Sequence, residues 1–79
     1  MIRLLSVQDR FWTKTSDNPS GNAIRCTLLA DTTSEALPAT GEGVINMSDE
    51  TVINPGSVAI TPAGDVAIMA NTREWGEWM

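Results

Sequence analysis

The stretch Gly56-Ser-Val-Ala-Ile-Thr-Pro-Ala-Gly-Asp-Val-Ala-Ile-Met-Ala-Asn-Thr-Arg-Glu-Trp-Gly-Glu-Trp78 decides how this chain reads. Val58 and Ile60 alternate with small or polar neighbours, Pro62-Ala63-Gly64-Asp65 interrupts, and Val66, Ile68 and Ala70 resume the alternation. Successive side chains of a strand point to opposite faces, so period-two patterning around turn clusters predicts a small antiparallel meander. A second break at Asn71-Thr72 precedes an aromatic strand carrying Trp75 and Trp78.

Outward from that stretch, Asn54-Pro55-Gly56 is a strong turn signal, and Val52-Ile53 before it reads as a short edge pairing. Thr40-Gly41-Glu42-Gly43 turns into a short strand, Val44 to Met47. Thr32 to Leu37 offers a single helical turn, capped by Thr32 or Thr33 and ended by Pro38, because proline disfavours helix at the residue before it. Residues 23–30 form the best central strand, with Ile24, Cys26 and Leu28 on one side and Arg25 and Thr27 on the other. Ser16 to Asn22 is rich in turn formers and reads as a loop. Residues 2–7 read as a short strand with Ile2 and Leu4 on one face. Phe11 and Trp12 either continue it or anchor an arm.

No segment sustains helical spacing. The expected fold is all-β, a small antiparallel sheet or open barrel of five to six short strands with at most one helical turn. The organisation is an N-terminal strand or arm over 1–15, a loop over 16–22 and a small β domain over 23–79. The core should draw on Ile24, Cys26, Leu28, Val44, Val58, Ile60, Val66 and Ile68, with Met47 and Trp75 at its margin. Each fully buried aliphatic contributes roughly 1.5–3 kcal/mol before entropy is counted. That core is too thin to hide Trp12, Trp75 and Trp78 together.

Composition narrows the function. The chain has 79 residues, ten acidic and five basic, for a net charge of −5. Nucleic-acid binding by phosphate neutralisation needs a cationic face, and Arg3, Arg10, Lys14, Arg25 and Arg73 are too scattered to build one. The one cysteine excludes an intrachain disulfide, and there is no histidine. A chain this small buries only about 60–65% of its unfolded surface, so self-association or docking is the expected extra support. The first residues lack the apolar core of a secretory signal, and no run approaches the roughly 18 apolar residues of a membrane span.

The candidate chemistries each lack a part. A catalytic thiolate at Cys26 needs a base or cation beside it, and no histidine exists to serve, so a buried structural cysteine is expected. A Ser–Lys dyad would depend on Lys14, the only lysine, without supporting spacing. Asp49, Glu50 and Asp65 do not follow a calcium-loop spacing, and paired-carboxylate glycosidase chemistry needs a cleft that so short a chain cannot enclose. Leu37-Pro38-Ala39-Thr40-Gly41 spells a sortase signal without the following apolar span and basic tail, and it reads as a turn. Asn46-Met47-Ser48 fits a glycosylation acceptor, which matters only in an exported chain. No cofactor and no metal are expected.

Glu35-Ala36-Leu37-Pro38, Pro55-Gly56-Ser57-Val58-Ala59, Gly64-Asp65-Val66-Ala67-Ile68-Met69 and Glu74-Trp75, in that order, resemble a loose group of small proteins. They are encoded in the capsid and tail modules of tailed phages and prophages of Firmicutes. Ile68-Met69-Ala70 stands where that group carries an aromatic before the methionine. The resemblance spans residues 31–78. It implies a non-enzymatic virion protein, a head decoration, fibre base or minor tail part, whose partners are other virion proteins and itself. In that setting Phe11, Trp12, Trp75 and Trp78 are the expected interface residues, with no role for nucleic acid or membrane. The alternative is a soluble β-rich adaptor or carbohydrate-binding module that uses Trp75 and Trp78.

Overall fold

The strand read at residues 23–30 is the spine of the sheet. The computed structural model describes residues 1–12 and 21–79, with Trp12 described by its backbone alone. The expected loop over 16–22 therefore lies, apart from Gly21 and Asn22, outside the described residues, as does Lys14. Six strands follow in order: β1 (Ile2–Trp12), β2 (Asn22–Leu29), β3 (Val44–Ile45), β4 (Val52–Ile53), β5 (Val58–Ile60) and β6 (Val66–Ile68). They form one open sheet in the order β3-β1-β2-β5-β6, with β4 also paired to β2. No helix occurs among the described residues. Thr32 to Leu37 is only a turn, held by a long Glu35 N–H bond to the Thr32 carbonyl at 3.4 Å.

The all-β expectation holds, but the pairing is mixed. β1 runs antiparallel to β2 and β5 antiparallel to β6, whereas β3, β4 and β5 join β1 or β2 in parallel. The two parallel pairs on β2 arise because residues 52–60 travel along it as one interrupted strand. Ala23 and Ile24 face Val52 and Ile53, then Thr27 to Leu29 face Val58 to Ile60. Between these contacts the Asn54-Pro55-Gly56-Ser57 turn inserts two residues, since the pairing offset changes from 29 (Ile24 to Ile53) to 31 (Leu28 to Ala59). Val52-Ile53, expected at an edge, is instead buried against the spine.

That insertion would break the hydrogen-bond ladder of β2, and Ser57 repairs it. The Ser57 hydroxyl accepts the Cys26 N–H at 3.1 Å and donates to the Asn54 carbonyl at 2.7 Å, in a fully buried position. A buried N–H left without an acceptor would cost about 1–3 kcal/mol, so this one side chain keeps the sheet continuous.

The inner face collects Ile24, Cys26, Leu28, Ile53, Ala59 and Met69, with Ile2 and Val44 beside them. Here the expected core needs a correction. Val58, Ile60 and Val66 are only half-buried and Ile68 is 45% exposed, while Ala59 and Ala67 face inward with no exposed surface. Leu28 is fixed on the inner face and pairs with Ala59, which pairs with Ala67, so register sets the phase. Hydrophobicity alone favoured the larger side chains. Partly buried Trp75, Trp78, Leu37 and Met47 complete the packing around the core.

β1 is longer than expected and carries two bulges, at Leu5 and Gln8. Each bulge flips the facing of everything after it. Leu4, Val7 and Arg10, three apart, thereby all fall opposite the inward residues Leu28, Cys26 and Ile24. Asp9 faces Arg25 on the other side, and the two form an ion pair. The radius of gyration, 11.8 Å, matches the roughly 11.6 Å expected of a self-contained fold of this length.

A bare edge, an apolar outer face and a groove

The two margins of the sheet end differently. At the β6 margin, residues 74–79 fold back as an extra extended segment. Ala70 N–H donates to the Glu74 carbonyl, Gly76 N–H to the Ile68 carbonyl, and Val66 and Met79 exchange both bonds at 3.0 and 2.8 Å. Met69 faces Trp75 while Val66 faces Met79, so three steps on β6 oppose four on the returning segment. The extra residue lets Trp75 and Trp78, which an ideal strand would send to opposite faces, both pack against the core. The Trp75 indole N–H donates to the Pro38 carbonyl at 2.7 Å.

That bond also clamps the sortase-like segment. Residues 39–41 are not a turn but an extended piece on β4: Ile53 N–H donates to the Ala39 carbonyl and Gly41 N–H to the Thr51 carbonyl, both at 2.9 Å. Gly41 is buried so closely under the next loop that an added Cβ would collide with the Ser48 carbonyl. The segment is part of the fold.

At the β1 margin, β3 covers only Ile2 and Arg3. Asn46 takes a left-handed backbone (φ 69°) immediately after β3, and the chain leaves the sheet there. From Leu4 to Trp12 no described residue pairs with the outer edge of β1. Leu5 and Phe11 on this strand are about half exposed, at 48% and 45%. Of the expected interface residues, Phe11 is thus at the bare edge, the side chain of Trp12 lies outside the described residues, and Trp75 and Trp78 sit half-buried at the opposite margin.

Where the chain departs from β1 it leaves a groove of about 220 Å³. Leu4, Val7, Ile24 and Met47 form apolar walls, and Arg10 stands with Asn46 and Ser48 among its polar lining. The volume is below the roughly 300–1,000 Å³ of small-molecule sites and suits a side chain better than a cofactor. Arg10 has no ion-pair partner among the described residues. Sequence reading missed this groove because strict alternation cannot put Leu4, Val7 and Arg10 together. Their period of three was the only available signal.

The outer face carries the aliphatics displaced from the expected core, Val58, Ile60 and Val66 half-buried and Ile68 exposed, with Leu29, also half-buried, beside them. Cys26 is fully buried, and burial raises its thiol above the ordinary value, with the Ser57 contact acting weakly the other way. A thiol so placed is held neutral and inert. Among the described residues no group of three or more potential metal ligands occurs, and no helix is long and apolar enough to cross a membrane. No protein-family profile, curated protein or solved structure matches the chain.

Proposed function

We propose that this chain is a non-enzymatic structural protein of a bacteriophage particle, a capsid decoration, head-fibre or minor tail component, that works by oligomerising and docking on the particle. The observation that carries the reading is the apolar outer face. A single sheet normally turns one face to the core and gives the other to water, so that strands alternate apolar and polar. Here β5 and β6 are apolar on both faces, with alanines inside and Val58, Ile60, Val66 and Ile68 outside. Apolar residues set side by side on a folded surface mark contact sites more often than isolated ones do. The resemblance of residues 31–78 to small phage proteins supplies the setting.

The test has two readouts. Light scattering after size exclusion should give a symmetric oligomer, and Ile68→Lys should reduce it toward the monomer while the fold survives, because residue 68 is exposed. Particles purified from a culture whose genome encodes the chain should contain it as a regular component. A protein that stays monomeric at high concentration and is absent from particles would remove the proposal.

A further inference from the structure

We propose that the bare edge of β1 and the adjoining groove form one recognition site for an extended segment of another polypeptide. That segment would carry an apolar residue and an acidic residue two positions apart. The inference rests on the docking role above and names the chemistry of the docked partner. Asp9 to Trp12 is the regular part of the strand, pairing with Arg25 to Asn22 without interruption on one side and with no described residue on the other. An added strand finds backbone groups to pair with there, which is how extended peptides join exposed sheet edges.

Side chains of such a strand alternate, so every second one points to the inner side, where the groove opens. The apolar walls from Leu4, Val7, Ile24 and Met47 take the first, and Arg10 on the same lining takes the second. Charge argues for an acidic residue. Arg10 is a cation with no ion-pair partner among the described residues, on a chain of net charge −5, and a carboxylate within reach forms the stronger, charge-assisted bond. It also argues against a second copy of β1, which would bring another Arg10 and only one acid, Asp9, already paired with Arg25.

The experiment uses the full chain and short fluorescein-labelled peptides read by anisotropy. The parent peptide carries leucine and glutamate two positions apart in a threonine-rich background. It should bind saturably. Arg10→Glu should weaken it about tenfold or more, the loss of one charge-assisted bond, and a glutamate-to-lysine peptide should restore binding to that variant. Arg10 is exposed, so the variant should fold, which circular dichroism checks. Methylation of the peptide's backbone nitrogens should abolish binding. Equal binding by the methylated peptide, or indifference to Arg10→Glu, would overturn the site. So would failure of the peptide to bind combined with a self-association abolished by Phe11→Lys, which would give the edge to a second copy. Peptide binding by a protein absent from particles would strike the virion setting and leave the site standing.

Discussion

The sheet has two margins built from similar material, and only one is finished. β6 is three residues long, yet it is covered by residues 74–79 along its whole length. β1 is eleven residues long, and described residues cover its outer side at two of them. Unpaired strand edges are templates for pairing, and proteins blunt them with charge, bulges or covering segments. This chain spends its covering segment on the short strand and leaves the long one with two bulges and a regular final run. The difference separates a margin closed by the chain's own last residues from one that no described segment covers beyond Arg3. Substitutions at the first should cost stability, and those at the second should not.

The largest effect belongs to Trp75. Its ring packs against the core and its N–H holds the Pro38 carbonyl, so it fastens the returning segment to the strap over β4. Trp75→Ala should cost about 3 kcal/mol in urea denaturation, the lower end for loss of a large aromatic, because the ring is only partly buried. Trp75→Phe keeps most of the packing and strands one acceptor, and should cost about 1 kcal/mol. Near-equal losses would assign the cover to the hydrogen bond and not to packing.

Between the margins, Ser57→Ala should cost about 2 kcal/mol by orphaning the Cys26 N–H, and hydrogen exchange at that amide should accelerate. The same locus sets an alkaline limit. Burial raises the Cys26 thiol above its ordinary 9.0, so the folded state keeps its proton where the unfolded chain has lost it. This contribution is complete below the ordinary value and declines as pH climbs through the raised one. Cys26→Ala should flatten the alkaline end of a stability-versus-pH series; an unchanged slope would show that other groups set it.

Two matched hairpins near the covered margin give a finer comparison. Residues 61–65 and 70–74 close the same way, a turn followed by one left-handed residue: Gly64 (φ 98°) in the first, Arg73 (φ 66°) in the second. Glycine enters that region freely, whereas other residues pay roughly 1–2 kcal/mol. Gly64→Ala should therefore destabilise by about 1 kcal/mol. Arg73→Gly should stabilise by roughly 0.5 kcal/mol after the more flexible unfolded chain and the lost Arg73–Asn54 bond are counted. A loss at Arg73 would show that this bond outweighs the strain.

Much of the covered side was legible in the sequence. Alternation marked β2, β5 and β6, and Pro62 to Asp65 and Asn71-Thr72 marked the two hairpins. The facing of β5 and β6 was not legible, because Val-Ala-Ile alternates equally well either way up and only pairing with Leu28 decides. The strap at residues 39–41 hid for a similar reason: its order comes from β4 and Trp75, which are distant in sequence. At the bare margin, bulges at Leu5 and Gln8 replaced period two by period three, so Arg10 stayed invisible as a groove residue while Phe11 stood out by its size.

The smallest expected effect is the most discriminating. Leu5 is an extra residue on its bulge, with no cross-strand partner and nearly half its surface exposed. Leu5→Lys should change stability by no more than about 0.5 kcal/mol, as surface substitutions away from caps and cores do. It should also make the edge less prone to pair indiscriminately, since lysine is a common edge guard. A loss above about 1 kcal/mol would mean that the outer side of β1 is already engaged within the fold. The two margins would then be alike, and nothing at β1 would remain for a partner to read. A stable, more soluble variant with the same melting profile leaves the long edge what the pairing makes it: a finished strand with an unfinished side.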